Sequence, residues 1–314
     1  MLDALWDKRA LLISGKGGVG KSTLAAALAR AAVRAGRRVL LAELSPSLEG
    51  PSVLAPLVGA REPGPEVTQV EPGLSFVRLG ASEGHRRFLE DVLPLRLMAD
   101  AALRSRALRR FLEAVPAMRE MGLLYQMLDL VRQTGRDGRF VHPLCVLDLP
   151  ATGHALALAS LPRAVLSLMP GGPIGRAVRE GLDFLQDPRR TAVLLASLPE
   201  PLPVSEALRL ATELRHLGMP LAAGILNRMP EDPFPEPRAR AALDALLADH
   251  GPHEGSRALA RLDLARSSHA RLAAGLAAPV LCLPEYDARG PELVQRLAEA
   301  FLPSSAPRWA GGAP

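Results

Sequence analysis

A glycine-rich stretch near the N-terminus holds the residues best suited to chemistry. Its sequence is Gly15-Lys16-Gly17-Gly18-Val19-Gly20-Lys21-Ser22. It satisfies the pattern G-x-x-x-x-G-K-[ST], in which backbone N–H groups surround phosphate oxygens. In this pattern Lys21 reaches the β- and γ-phosphates, the Ser22 hydroxyl ligates Mg²⁺, and Thr23 is placed to donate to an α-phosphate oxygen. The stretch therefore predicts a site for a nucleoside triphosphate and Mg²⁺.

Lysine is rare in this chain, which makes Lys16 informative. The 38 basic side chains include only three lysines, Lys8, Lys16 and Lys21, and two of these lie in the glycine-rich stretch. An ordinary phosphate loop needs no lysine after its first glycine. The stretch resembles the deviant Walker A motif of the class that includes MinD, the nitrogenase iron protein and the arsenite-pump ATPase. The resemblance implies an ATP-dependent homodimer in which Lys16 reaches the partner's phosphates. The alternative is a solvated loop lysine.

An aspartate ends a second apolar stretch, residues 144–147. Asp148 is placed to hold Mg²⁺ through water at the end of a buried strand. The residues that follow are Leu149-Pro150-Ala151-Thr152-Gly153-His154. With Asp148 they resemble the D-T-A-P-T-G-H signature of the arsenite-pump and tail-anchored-protein-targeting (ArsA-like) ATPases, with departures at residues 149–151. A Thr-Gly-His turn beyond the aspartate is suited to sense the γ-phosphate.

Two further positions fit the same resemblance. Asn227, the one asparagine in the chain, ends a predicted strand. The resemblance implies that it reads adenine, and a carboxamide offers the donor and acceptor that the base edge needs. The alternative is a turn-forming asparagine. Pro284, followed by Glu285, also resembles a family position near the nucleotide.

The predicted hydrolytic residue departs from the family. Ser45 stands before Pro46 where the family has the aspartate that activates water. A hydroxyl is a much poorer base than a carboxylate at neutral pH. Glu43 lies on the same side of an extended segment and is the candidate substitute. The sequence thus predicts slow or Glu43-dependent hydrolysis of ATP to ADP and phosphate, and leaves open a scaffold that binds nucleotide without useful turnover.

Apolar strands that alternate with helices predict an α/β fold with a mostly parallel sheet covered on both faces, as in P-loop NTPases. The expected helices following the phosphate loop and later strands are 21–35, 205–217 and 291–301. The expected strands are 9–14, 38–43, 74–79, 143–148, 191–198, 220–227 and 279–283.

A single ArsA-like domain is predicted over residues 1–303, with a helical insertion near 85–134 and a flexible tail at 304–314. The insertion contains four of the eight methionines: Met98, Met118, Met121 and Met127. Met-rich surfaces suit hydrophobic partners, and the resemblance implies a groove for a hydrophobic or membrane-protein client. The alternative is ordinary packing of a helical layer on the sheet.

Composition limits the partners and metal sites that the protein can be expected to have. The formal charge of +5 is spread along the chain without a dense basic run, so nucleic acid is not the expected partner, although a ParA- or MinD-like positioning ATPase stays an alternative. No segment is apolar enough for a membrane span. Cys145 and Cys282 lack metal-ligand spacing, which argues against the family's zinc clamp and arsenite site. Their apolar settings suggest reduced thiols, and we expect a cytoplasmic protein.

Overall fold

The computed structural model describes most of the chain. It covers residues 2–45, 48–61, 64–81, 84, 116–149, 152–168, 171–233, 236–248 and 254–302. The strands are β1 (Ala10–Gly15), β2 (Val39–Ser45), β3 (Thr68–Glu71), β4 (Leu74–Gly80), β5 (Leu144–Asp148), β6 (Thr191–Ser197), β7 (Leu221–Met229) and β8 (Val280–Pro284). The helices are α1 (Leu2–Leu5), α2 (Lys21–Arg34), α3 (Ala55–Val58), α4 (Pro116–Arg132), α5 (Thr152–Leu168), α6 (Gly172–Gln186), α7 (Pro201–His216), α8 (Pro237–Ala248), α9 (Glu254–Leu276) and α10 (Gly290–Ala300).

The described strands form one sheet in the order β3-β4-β2-β5-β1-β6-β7-β8. All neighbouring pairs are parallel except β3 with β4, so the antiparallel strand lies at one edge. The predicted fold class, a mostly parallel α/β sheet of the P-loop NTPase type, is confirmed. In this arrangement β1 lies between β5 and β6, and β2 lies on the other side of β5. The carboxyl ends of the parallel strands therefore meet at one edge of the sheet.

Both faces of the sheet are covered, which explains the continuous apolar strands. Along β1, Ala10 and Leu12 contribute to one core, together with residues of α4 to α7 and α9. Leu11 and Ile13 contribute to the opposite core, together with residues of α2, α3 and α10. Alternate residues of a strand point to opposite faces, so each central strand supplies both cores.

The predicted strands lie within a few residues of the observed ones, and two differences concern polar or proline-rich starts. Helix α7 begins at Pro201 rather than at Ser205. Proline suits the first turn of a helix because the N–H that it lacks would have no partner there. Strand β3 was not predicted, because its sequence Thr-Gln-Val-Glu is polar and it pairs with a single neighbour at the sheet edge.

Part of the predicted helical insertion can be located. Its residues 85–115, like the predicted tail at 304–314, lie outside the described residues. The described helix α4 packs Leu123, Leu124 and Met127 into one of the two cores. Met121 and Met127 are 6% and 2% exposed, so these two methionines of α4 serve ordinary packing. Among the described helices, none has the length and apolarity that a membrane crossing would require.

Candidate nucleotide site

The predicted site residues gather at the carboxyl edge of the sheet. The phosphate loop connects β1 to α2, and Asp148 is the last residue of β5, the strand beside β1. Asn227 lies near the end of β7, and Pro284 ends the neighbouring β8. These residues are distant in sequence, and the parallel order of the strands brings them to one edge.

Two glycines of the loop are required by its geometry. Gly15 has φ +146°, and a Cβ there would overlap the carbonyl oxygen of Ala196 on β6. Gly20 has φ +93°, and its Cβ would lie 2.6 Å from the amide nitrogen of Asn227. At Gly17 and Gly18, in contrast, an added Cβ would meet no atom within 4 Å. The loop is therefore packed against β6 and β7 at its ends and open in its middle, as a cradle for phosphate must be.

Lys21 lies across the inside of the loop. Its ammonium donates to the backbone carbonyl of Lys16 at 3.0 Å. Burial lowers the pKa of Lys21 from its ordinary value, and the Asp148 carboxylate partly opposes that shift. A partly desolvated ammonium attracts anionic oxygens more strongly than one in water, so Lys21 is placed to bind phosphate.

Ser22 and Asp148 form a pair where α2 begins and β5 ends. The Ser22 hydroxyl donates to Oδ2 of Asp148 at 2.6 Å. Burial raises the pKa of Asp148 to about 6; the Ser22 hydrogen bond and the Lys21 charge act against this, while the Glu43 charge adds to it. The second oxygen, Oδ1, is buried and has no hydrogen-bond partner among the described residues. A buried carboxylate oxygen without a donor is a position where a cation would be stabilised.

These residues fit the Mg²⁺ that a phosphate loop implies. Mg²⁺ prefers oxygen ligands and usually keeps several waters beside one or two protein groups and the substrate phosphates. The Ser22 hydroxyl and the Asp148 carboxylate supply such oxygens. No group of three or more His, Cys, Asp or Glu side chains suited to a metal occurs among the described residues, so a metal held by protein alone is not indicated there. When bound, Mg²⁺ would neutralise charge on the phosphate oxygens.

Lys16 has an acidic partner within its own chain. Its ammonium lies 2.9 and 2.8 Å from the two carboxylate oxygens of Glu206 on α7. The side chains are 41% and 32% exposed, so water screens the attraction and the ion pair can be exchanged at small cost. Lys16 is therefore more than a solvated loop lysine, because its ammonium has a specific counter-ion.

Asn227 contacts the loop itself. Its side-chain amide donates to the carbonyl of Val19 at 3.0 Å, and the residue is 5% exposed. This bond uses one of the two N–H groups of the amide, leaving the second for another acceptor. In the structure Asn227 holds the phosphate loop against β7; its predicted reading of adenine stays a prediction.

Glu43, the candidate substitute acid, is buried and has partners for both carboxylate oxygens. It is 6% exposed. Oε2 accepts from the Ser52 hydroxyl at 2.5 Å and from the Leu54 backbone N–H at 3.0 Å. Oε1 lies 3.2 Å from Nε of Arg78. Both oxygens thus have partners, and the role of Glu43 as a base stays a prediction that its contacts do not favour.

The remaining predicted residues are placed as follows. Thr23 lies in the first turn of α2. Pro284 pairs with Met229 in register, and the Glu285 N–H donates to the Met229 carbonyl at 2.8 Å. Thr152 and the two residues after it form the first turn of helix α5, so the predicted Thr-Gly-His turn is the start of a helix.

Sequence reasoning missed two charged residues of this edge, Arg78 and Glu206. Arg78 is the single charged residue of the otherwise apolar run 74–80. A charge inside a buried strand requires a partner, and Glu43 is likewise the single charge in the apolar run 39–44. That pairing of opposite charges was a usable signal. Glu206 carried no comparable signal, since a glutamate on a helix is usually solvated.

Comparisons with known proteins find one matching family and several similar sequences. The family described as anion-transporting ATPase, ArsA_ATPase, matches residues 8–171. ATPase BagA of Mycobacterium tuberculosis is 31% identical over 245 residues, which cover 76% of this chain and 70% of the relative. The arsenical pump-driving ATPase of Escherichia coli is 29% identical over 221 residues, which cover 69% of this chain but 34% of the pump protein.

Proposed function

The chain belongs to the ArsA family of ATPases, and from that premise we propose that it binds ATP with Mg²⁺, hydrolyses it slowly and acts as a homodimeric switch. The observation that carries the proposal is the Ser22–Asp148 hydrogen bond of 2.6 Å, with Lys21 inside the same loop. This arrangement joins a phosphate-binding group to oxygen ligands for Mg²⁺. The family match covers the same part of the chain.

The contacts of two β2 residues, Ser45 and Glu43, support the proposal that hydrolysis is slow. Ser45, which stands where the family's water-activating aspartate is expected, accepts a hydrogen bond from Arg78 at 3.3 Å. Glu43 has partners for both oxygens. A hydroxyl such as that of Ser45 is a weak base at neutral pH, and the contacts of Glu43 compete with water for its oxygens. A scaffold that binds nucleotide without useful turnover is therefore the second candidate, favoured by the same contacts.

The proposed homodimer assigns Lys16 to the partner's phosphates. The support is the deviant Walker A sequence and the exposure of Lys16, whose ion pair with Glu206 can be released. An ATP-dependent dimer would use this release as its switch. The ParA- or MinD-like alternative makes the same use of Lys16 but adds salt-sensitive binding to DNA or lipid.

One experiment tests turnover and assembly together. Steady-state ATP hydrolysis and dimerisation by light scattering are measured with ATP and Mg²⁺ for the wild type, Lys16→Ala and Glu43→Gln. We expect Lys16→Ala to remain monomeric with ATP. The matched control is Lys8→Ala, since the Lys8 ammonium donates to the Pro188 carbonyl away from the site. Dimerisation of Lys16→Ala at wild-type protein concentrations contradicts the cross-subunit role, and an absence of turnover in the wild type selects the scaffold.

A hydrophobic or membrane-protein client is the least supported part of the proposal. It rests on the family resemblance of residues 85–134, and two methionines of the described helix α4, Met121 and Met127, are buried. The test is binding of a labelled apolar helical peptide to the protein with ATP, with ADP and without nucleotide. Binding that is absent in all three states contradicts client handling and leaves the ATPase proposal intact. We further propose a cytoplasmic location, which suits the two free, buried cysteines.

A further inference from the structure

A buried ion pair connects β2 and β4 beside the candidate nucleotide site. Glu43 and Arg78 are register partners on these neighbouring parallel strands, so their side chains share one face of the sheet. Arg78 Nε lies 3.2 Å from Glu43 Oε1, and the side chains are 6% and 8% exposed. Screening by water is weak at such burial, and each charge depends on the other.

The Arg78 guanidinium also binds the chain that follows β2. One of its terminal nitrogens donates to the carbonyls of Gly50 at 2.6 Å and Leu48 at 3.2 Å. The other donates to the Ser45 hydroxyl at 3.3 Å. A planar guanidinium with five N–H donors can serve several acceptors at once, which a lysine ammonium cannot do in the same geometry.

Glu43 holds the same segment from its other end. Its second oxygen accepts from the Ser52 hydroxyl and from the Leu54 N–H. The Ser52 oxygen in turn accepts from the Ala55 N–H at 2.9 Å, at the start of α3. The ion pair thereby fixes both ends of the described segment 48–54, which leads from β2 toward α3.

The segment 48–54 follows Ser45, the residue at the position where the family's water-activating aspartate is expected. Ser45 is the last residue of β2, and β2 pairs with β5 so that Glu43 lies beside Asp148. A shift in the ion pair would therefore move the hydroxyl of Ser45, to which Arg78 donates.

We infer that Arg78 is a positioning residue for ATP cleavage: paired with Glu43, it holds Ser45 at the carboxyl edge of the sheet together with the 48–54 segment. Glu43 then acts through this pair, and not as a base that takes a proton from water. The inference deepens the proposed function and rests on it for the cleavage step. The hold on the 48–54 segment is independent of cleavage and can be tested alone.

The test combines hydrogen exchange with a double-mutant cycle. Variants Arg78→Met, Glu43→Gln and the double variant are compared with the wild type in the full chain. Amide exchange is followed at residues 48–54 and at the phosphate loop, and kcat and KM for ATP are measured with Mg²⁺. Arg37→Met is the matched control, because Arg37 forms an ion pair with Asp7 at 2.6 Å in which both side chains are largely exposed.

We expect amide exchange at 48–54 to rise about tenfold or more in each single variant, with little change at the phosphate loop. We expect kcat to fall by about tenfold while KM changes by less than about threefold, since Lys21, Ser22 and Asp148 are untouched. The double variant should be no slower than the slower single variant, because the two residues act as one unit. Losses that multiply in the double variant overturn the inference and indicate a separate role for Glu43.

A conservative variant guards against a general folding defect. Arg78→Lys keeps a positive charge for Glu43 but cannot reach Ser45 and both carbonyls at once. We expect it to restore the unfolding midpoint of Arg78→Met toward the wild-type value while leaving exchange at 48–54 fast. Wild-type exchange at 48–54 in Arg78→Lys overturns the inference even if Arg78→Met does not fold. If the wild type shows no turnover, the proposed function fails, whereas the exchange results still decide the role of Arg78.

Discussion

Two buried carboxylates at the carboxyl edge of the sheet, Asp148 and Glu43, differ in their contacts. Asp148, on the β1–β5 side, has one oxygen bonded to Ser22 and one without a hydrogen-bond partner among the described residues. Glu43, on the β2–β4 side, has partners for both oxygens. A carboxylate with an unused buried oxygen is suited to bind a cation, whereas one whose two oxygens both have protein partners is occupied by contacts within the protein. We call the region of Lys21, Ser22 and Asp148 the binding side. We call the region of Glu43, Ser45 and Arg78 the switch side.

The contrast explains why phosphate binding is better supported than phosphate cleavage. The binding side has each group that a phosphate loop requires, in contact with its neighbours. The switch side carries Ser45 and an ion pair in place of an exposed acid. The four predictions that follow test this contrast, from the largest expected effect to the smallest.

Removal of the Lys21 ammonium should abolish most nucleotide binding. Lys21→Ala takes away the half-buried positive charge of the loop, and such a loss at a charge-paired contact costs about 3 kcal/mol, or more than about a hundredfold in Kd. Affinity is measured by titration with a fluorescent ATP analogue and Mg²⁺. Lys8→Ala serves as the control and should bind normally. Unaltered affinity in Lys21→Ala would show that the loop does not bind the phosphates of ATP through this lysine.

Asp148 should make the nucleotide-free protein less stable as the pH rises. Its pKa in the fold is about 6, above the ordinary value of 3.8, because burial penalises the charged form. Below pH 3.8 the group is neutral in both the folded and the unfolded chain, and above pH 6 it is charged in both. The penalty therefore grows between these values and is complete above 6, at about 3 kcal/mol.

Asp148→Asn should consequently raise the free energy of unfolding at pH 7.5 and have little effect near pH 4, while it weakens Mg²⁺-dependent ATP binding. Urea unfolding without nucleotide or Mg²⁺ measures the difference. Asp187→Asn provides a control of opposite sign, since hydrogen bonds from Arg189 lower the pKa of Asp187. Equal stability of Asp148→Asn and wild type at pH 7.5 would show that Asp148 is not held as a buried charge.

A methyl group at Gly20 should disturb the contact between the phosphate loop and β7. Gly20→Ala forces a left-handed φ on alanine, which costs about 1 to 2 kcal/mol, and places a Cβ 2.6 Å from the Asn227 amide nitrogen. Gly36→Ala is matched, because Gly36 has φ +79° but no atom within 4 Å of an added Cβ. Gly20→Ala should lose more stability than Gly36→Ala and should also lose ATP affinity. Equal losses in stability with normal ATP binding would mean that Asn227 does not support the loop.

Release of Lys16 from Glu206 should have the smallest effect. An exposed ion pair contributes about 0.2–1 kcal/mol, so Glu206→Gln should strengthen ATP-dependent dimerisation by at most about fivefold. Sedimentation at several protein concentrations measures the change. Glu213→Gln is the control, because Glu213 lies farther along α7 and pairs with Arg209 at 4.0 Å. Weaker dimerisation in Glu206→Gln would show that Glu206 belongs to the dimer contact and does not compete with it.

The sequence predicted the binding side far better than the switch side. Gly15, Lys21 and Ser22 follow a local pattern whose chemistry fixes the order of residues, and Asp148 is marked by the apolar strand that it ends. The partners of Glu43 are Arg78, Ser52 and the Leu54 backbone. The single charges of two apolar runs indicated that Glu43 and Arg78 need partners, but their contact depends on β2 lying beside β4 in the sheet, and strand order is set by long-range packing that no short window contains. For the same reason the ion pair of Lys16 with Glu206 could not be predicted.

The most direct test of the contrast measures ATP affinity and single-turnover cleavage on the same samples of wild type, Lys21→Ala and Arg78→Met. The account predicts that Lys21→Ala loses affinity, and cleavage with it. It predicts that Arg78→Met keeps its affinity within about threefold while cleavage slows by about tenfold. Parallel loss of affinity in both variants, or unchanged cleavage in Arg78→Met, would contradict the separation of a binding side from a switch side.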